Sequence, residues 1–271
     1  MKSTFYKDKV VIITGGSSGI GLALAKEFVM QHAQVVLIAR DEEKLRTAKK
    51  LLEADSSAKV FIIPADVSNN ASISAAIDKT ADTFGHIDVL INNAGVTTCG
   101  RFADQSIEDL EKCVFINYLG CVYASKAAWV WLKQSKGQLS FVSSVAGYLG
   151  LIGYSSYAPT KFAITGLTEC LRMEGAADEI KVSIIYPPDT NTPMRDYEVE
   201  HTLPECLALS KNIKAVEPGK VAKRYIDGLQ KNKFEIYCDV DSRLVRSLKN
   251  NAPGLFNYFT NRIIRKATLK K

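Results

Sequence analysis

No window of this sequence holds eighteen consecutive apolar residues, so a conventional membrane-spanning helix is not expected. The six cysteines (Cys99, Cys113, Cys121, Cys170, Cys206, Cys238) contain no C-x-x-C pair and read as reduced, mostly buried thiols of a cytosolic protein. Three histidines, His32, His86 and His201, lie far apart in the chain, so no metal site is expected. The stretch from Met1 to Lys9 lacks a cleavable secretory pattern and leads almost directly into the apolar run Val10 to Ile13. There are no internal repeats and no low-complexity linkers. What remains is ordinary globular composition: 271 residues, 46% hydrophobic and 24% charged, enough for one large domain with a sizeable core.

The net charge of +6 is unevenly spread. Residues 1–210 carry 20 Lys+Arg against 24 Asp+Glu, and residues 211–271 carry 15 against 5. A mildly acidic body with a basic tail fits an anionic partner near the tail, or simply a solvated basic face.

Strand-like and helix-like patterns alternate. Strands are expected at Lys9 to Thr14, Gln34 to Ala39, Lys59 to Ala65, Asp88 to Asn92, Gln138 to Ser143, Lys181 to Tyr186 and Phe234 to Cys238. Helices are expected at Ile20 to Gln31, Asp41 to Ala54, Ala71 to Phe84, Ser106 to Gln134, Tyr157 to Ala177 and Pro218 to Lys231. Short apolar strands alternating with helices make βαβ units. Right-handed crossovers then stack them as one doubly wound α/β domain with a parallel seven-stranded sheet and helices on both faces.

The first strand–helix turn reads Thr14-Gly-Gly-Ser-Ser-Gly-Ile-Gly21, or T-G-x-x-x-G-x-G. Gly15 permits a tight exit from the strand, while Gly19 and Gly21 allow close backbone approach to a pyrophosphate. Free N–H groups at the following helix start, near Ser17 and Ser18, favour phosphate oxygens. Dinucleotide binding follows. At the end of the second strand an acidic residue would hold a ribose 2′-hydroxyl. Here Ala39-Arg40 stands instead, and the Arg40 fork suits a 2′-phosphate. Lys44, one turn on, adds a second charge or is an exposed helix lysine. Asp66-Val67 follows the third strand, with Asp66 set for an adenine amino group. Asn92-Asn93-Ala94-Gly95 ends the fourth strand, where a ligand crevice forms.

Tyr157 and Lys161 are spaced i, i+4 on one helix face. Ser144 ends a strand thirteen residues earlier, and Asn117 lies within the long preceding helix. Together with T-G-x-x-x-G-x-G and N-N-A-G, these residues resemble the short-chain dehydrogenase/reductase family, in the family's order and over most of the chain. The resemblance implies a Rossmann-type sheet of order 3-2-1-4-5-6-7, an NADPH/NADP+ cofactor and reduction of a carbonyl. A free tyrosine holds its proton up to a pH of about 10. The family mechanism sets the Lys161 ammonium beside Tyr157 to favour its phenolate, with Tyr157 giving the proton to the substrate oxygen. It implies that Ser144 holds that oxygen, that Lys161 also holds the nicotinamide ribose, and that Asn117 anchors a relay water. Ser143 is the neighbouring alternative; spacing favours Ser144.

Where the family usually has P-G, this chain reads Tyr186-Pro-Pro-Asp-Thr-Asn-Thr-Pro193. Thr192 matches the family threonine that contacts the nicotinamide carboxamide, and Thr190 is its neighbour. The string is similar to that of the 3-ketodihydrosphingosine reductases, as are Arg40 with Lys44 and Ile116 to Gly120. That resemblance implies a lipid-like amino ketone substrate, a homodimer or homotetramer, and no nucleic-acid partner. Another ketone reductase of the same family, for an oxoacyl thioester, steroid or retinoid, and a non-catalytic NADP-binding regulator are the other readings. The domain is expected over 1–250, with a substrate lid over about 193–216. The lid's Asp196, Glu198, Glu200 and Glu205 either attract a cation or are solvated charge. Leu203, Leu207 and Leu209 face an alkyl chain or pack the lid down. The tail, 251–271, carries Leu255, Phe256, Phe259 and Ile263 at helical spacing, with Arg262, Arg265, Lys266, Lys270 and Lys271 around them. Such a helix lies on an anionic membrane surface or packs on protein. The expected location is the cytoplasm, or the cytoplasmic face of a membrane reached through this tail.

Overall fold

The structure, a computed structural model, describes residues 4–54, 59–210 and 214–269. Residues 211–213 of the lid and Lys270 and Lys271 of the tail therefore lie outside the described residues. The first half of the chain runs β1 (Val10–Thr14), α1 (Gly19–Val29), β2 (Gln34–Ala39), α2 (Glu42–Ala54), β3 (Val60–Pro64), α3 (Asn70–Phe84), β4 (Val89–Asn92), α4 (Ile107–Cys113) and α5 (Gly120–Ser135). The second half runs β5 (Gln138–Val142), α6 (Ala158–Ala177), β6 (Lys181–Tyr186), α7 (Pro193–His201), α8 (Pro204–Ser210), α9 (Pro218–Gln230), β7 (Glu235–Tyr237), α10 (Val240–Asn251) and α11 (Pro253–Thr268).

The β-branched runs form strands that are buried on both faces, as a sheet covered by helices requires. All six strand pairings are parallel and the order is β3-β2-β1-β4-β5-β6-β7, as the family resemblance implies. Side chains alternate across the sheet. Val11 and Ile13 join Leu24, Phe28, Val221 and Tyr225 on one side. Ile12 joins Ile73, Ala124, Phe141 and Ile164 on the other. Strand order reverses between β1 and β4, so the crevice at their carboxyl ends is the place for a ligand.

Several elements differ from the sequence reading. The expected helix from Ser106 to Gln134 is α4 and α5 joined by a π-helical turn, Val114–Leu119. Ile107–Ser135 as a whole is long and apolar enough to cross a membrane, by length and composition. The consecutive-run criterion missed it because polar residues interrupt it; its burial against α3 and β4 accounts for its apolar character. The lid forms two short helices, and α10 was not anticipated. The tail is helical as expected, and it packs on the chain's own lid: α11 lies against α8, with Thr268 Oγ1 donating to Glu205 Oε1 at 3.5 Å. Phe256 and Ile263 line the cleft, whereas Leu255 and Phe259 are exposed on the outer face.

Phe28 on α1 is fully buried and meets the Tyr6 ring edge-to-face at 4.8 Å. Phe28→Ala leaves a cavity under the helix that begins at the Gly-rich turn. It should lower stability by about 3–5 kcal/mol in urea unfolding; a loss under about 1 kcal/mol would contradict this packing.

Candidate active site

A cleft of about 1800 Å³ opens at the carboxyl ends of the strands. It gathers Gly15, Ser17, Ser18, Gly19, Arg40, Lys44, Asp66, Val67, Asn93, Ser144, Tyr157, Lys161, Thr190 and Thr192 along its walls. Of the residues expected at the site, Gly21 and Asn117 stand behind the wall.

The floor at one end is the Gly-rich turn. Gly15 and Gly19 have φ of 64° and 54°, the left-handed region that favours glycine. Gly21 is required by contact: a Cβ there would lie 2.3 Å from Gly15 O. The turn is tied to β4 through Asn93, whose Nδ2 donates to Thr14 O (2.9 Å) and Gly15 O (3.1 Å). Thr14 Oγ1 accepts from the N–H groups of Asn93 and Ala94. Asn93 therefore shapes the cradle with its amide already spent. Ser18 precedes α1 and its side chain makes no cap hydrogen bond, which leaves first-turn N–H groups for an incoming anion. The cradle, with no side chain filling it, fits a dinucleotide pyrophosphate.

Arg40 is exposed on the cleft wall and makes no ion pair among the described residues. Lys44 shares its charge with Asp41 at 3.5 Å, an exposed pair of small energetic weight. Asp66 Oδ1 accepts from Ser68 N and Ser68 Oγ at 2.9 and 2.7 Å, which fixes the carboxyl at the cleft edge. Val67 packs against Gly120, where a Cβ would come within 3.0 Å of it. Thr192 caps α7, accepting from Arg195 N, and leans over Gly19, where a Cβ would meet its methyl at 3.2 Å. Thr190 Oγ1 donates to Pro188 O at 2.7 Å, so its hydroxyl is held by the loop.

At the other end Ser144, Tyr157 and Lys161 meet. Ser144 follows β5, and its Oγ accepts from Ala146 N and faces the Tyr157 hydroxyl. Ser143 points the other way, donating from a buried Oγ to Lys161 O at 3.2 Å. Tyr157 precedes α6, and Lys161 sits one turn along it with Nζ 5.4 Å from the Tyr157 ring centroid. Lys161 Nζ donates to Val142 O at 3.0 Å. Asn117 lies in the π-helical turn, a local widening common at functional sites, and is fully buried. Its Oδ1 accepts from Val96 N, and its Nδ2 donates to Val96 O and Thr160 Oγ1. Thr160 Oγ1 in turn donates to Tyr157 O at 2.7 Å. Asn117 thus anchors the start of α6, and through it the tyrosine.

Burial dominates the electrostatics of the coenzyme-free site. In this chain the Tyr157 phenol is held above its ordinary range, first by burial and then by the negative charge of Glu198, while its contact with Ser144 pulls the other way. Burial also lowers the affinity of Lys161 for its proton. Burial is the largest influence on both groups, because they sit in the same dry wall. The tyrosine is poised as a proton donor.

The lid divides its residues. Leu207 and Leu209 line the cleft, while Leu203 packs down beneath Gly153. Glu205 is buried and paired with Arg101 at 2.7 Å. Asp196 and Glu200 are exposed and turn away from the cleft, whereas Glu198 lines it.

A Gly-rich cradle at the β1–β4 switch point and a Ser–Tyr–Lys cluster facing it define an oxidoreductase of CH–OH and C=O groups with a nicotinamide cofactor. Residues 9–202 match the family model described as short chain dehydrogenase, and the chain belongs to that family. It is 38% identical to a 3-ketodihydrosphingosine reductase of Bos taurus over 88% of this chain and 73% of that one. It is 34% identical to a protein of the same name from Dictyostelium discoideum, over 93% and 80%. Among solved structures it is similar to a short chain dehydrogenase/reductase from Burkholderia phymatum in complex with NAD (24% identity, TM-score 0.83, 92% of this chain and 95% of that one). Levodione reductase is a further likeness (26% identity, TM-score 0.80, 86% and 97%).

Ser144→Ala should lower kcat by about 100-fold, the usual cost of losing a donor to a reacting oxygen. Ser143→Ala should leave turnover near wild type. Equal effects of the two on steady-state kinetics would contradict the assignment.

Proposed function

We propose that this protein reduces the ketone of 3-ketodihydrosphingosine with NADPH. What carries the reading is the match, at 34–38% identity and over most of the chain, to relatives bearing that enzyme's name, together with a cleft that puts a proton donor opposite a dinucleotide cradle. Gly15, Gly19 and the start of α1 would hold the pyrophosphate, Asp66 the adenine, and Arg40 with Lys44 a 2′-phosphate. When bound, the coenzyme supplies a hydride to the carbonyl carbon. Ser144 donates to the carbonyl oxygen and orients it. Tyr157 transfers its phenolic proton to that oxygen, so ketone, hydride and proton become an alcohol. The phenolate left behind is stabilised by the Lys161 ammonium and regains a proton from solvent. Leu207 and Leu209 give the cleft apolar walls that suit an alkyl chain.

Purified protein should oxidise NADPH with 3-ketodihydrosphingosine, and do so faster than with NADH. Tyr157→Phe should abolish turnover while retaining coenzyme binding. Turnover of an acetoacetyl thioester or a 3-ketosteroid with none of the amino ketone would overturn the substrate and leave the family intact.

The same reading extends to a membrane partner, since the substrate is a lipid. The outer face of α11 presents Leu255, Tyr258 and Phe259 to solvent beside Arg262, Arg265 and Lys266. The full chain should float with anionic vesicles, and Leu255→Asp with Phe259→Asp should reduce the floated fraction. Equal flotation of the two would overturn membrane contact through this face.

A further inference from the structure

We propose that Glu198 on the lid helix α7 receives the ammonium group that an amino ketone carries beside its carbonyl, and so makes the enzyme select amino ketones over neutral ones. This rests on the substrate reading above.

The position is singular among the lid's acids. Asp196 and Glu200 are exposed outside the cleft, and Glu205 is taken by Arg101. Glu198 alone of the four lines the cleft, in a wall shared with Tyr157, Ser144, Tyr154 and Thr97. It shares the cleft with the Tyr157 phenol that would meet the reacting carbonyl, and its charge is felt there. An ammonium one carbon from that carbonyl falls in the same neighbourhood.

Glu198 stands mostly among acidic and neutral groups. Glu198 makes no ion pair among the described residues. The groups that face it are Asp189 from the loop after β6, Tyr154 and Tyr157 before α6, Cys99 and Thr97 after β4, Cys206 on α8, and Arg195 one turn earlier on α7. Arg195 exerts the weakest of the influences on Glu198, after burial, Asp189 and Thr97. Thr97, whose Oγ1 is buried, lines the same wall and faces the Glu198 carboxyl, so a hydroxyl and a carboxylate stand together there. An ammonium has three N–H donors, which a carboxylate and a hydroxyl oxygen accept together. A half-buried carboxylate facing another carboxylate binds a cation gladly, because the cation restores the charge that desolvation opposes.

This arrangement also gives a pH signature. Burial and Asp189 push the Glu198 carboxyl up to about 7. Below that pH it is the neutral acid, which attracts an ammonium weakly; above it, the carboxylate holds one. The facing thiols and phenols are raised by burial: Cys206 to about 12, and Cys99, Tyr154 and Tyr157 above their ordinary values. None of them titrates near 7. Asp189 is raised from the carboxylate range by the cleft walls around it, so it is the one facing group that needs a control. kcat/KM for the amino ketone should therefore rise through pH 7, until the substrate amine loses its own proton.

The test compares 3-ketodihydrosphingosine with the same long-chain ketone lacking the amine, using NADPH and the full chain. Glu198→Gln should lower the ratio of kcat/KM for the amino ketone over the deamino ketone by about 100-fold. It should also abolish the rise through pH 7, a limb that Asp189→Asn retains. Asp196→Asn, outside the cleft, should change neither quantity. An unchanged ratio in Glu198→Gln, or the rising limb disappearing in Asp189→Asn alone, would overturn the proposal while the substrate reading stands. A wild-type enzyme that reduces only the deamino ketone would overturn both.

Discussion

One constraint organises the molecule: a phenol and an ammonium must share a nearly water-free wall at the start of α6. Tyr157 and Lys161 are 7% and 3% exposed. Desolvation there keeps the proton on the tyrosine, and the nearby lysine lowers the cost of the phenolate once the proton has left. Two elements at this end of the cleft serve that pair. The end of β5 brings Ser144 to the hydroxyl and gives Val142 O to the ammonium. The π-helical turn brings Asn117 to Thr160, and Thr160 holds the backbone of Tyr157.

Much of this was legible in the sequence because the signals are local. β-branched runs, the glycine spacing and the i, i+4 tyrosine–lysine pair each depend on a few adjacent residues. The strand set and its order came out as the family resemblance implied. The choice of Ser144 over Ser143 has a direct structural counterpart, since adjacent residues point oppositely after a strand and Ser143 is turned into α6. The illegible parts depend on tertiary contact. The burial that raises Tyr157 in the coenzyme-free chain is contributed by residues distant in sequence, so it cannot be read from the Tyr157–Lys161 spacing. The tail's inner face was invisible because amphipathic periodicity does not say what covers it; α8 does. The lid acids look alike in sequence, and only their orientation separates a paired Glu205 from a cleft-facing Glu198.

The two ends of the cleft are built by different physics. The coenzyme end is made of backbone: glycines that admit close approach, a helix start without a side-chain cap, and Asn93 stitching the turn to β4. Such a surface tolerates little variation, which is why its motif reads so clearly. The substrate end is made of side chains on α7, α8 and α11; Glu205 ties α8 to Arg101 of the domain and to Thr268 of α11. Specificity resides there, on helices that are free to diverge without disturbing the sheet.

The direct test of the central claim is the ionisation of Tyr157 itself. Ring-labelled tyrosine NMR of the coenzyme-free full chain, with Tyr157→Phe to assign the signal, reads the phenol across pH. The account predicts that this resonance stays that of a neutral phenol up to and beyond the ordinary tyrosine value of about 10. A phenolate signal at neutral pH would contradict it.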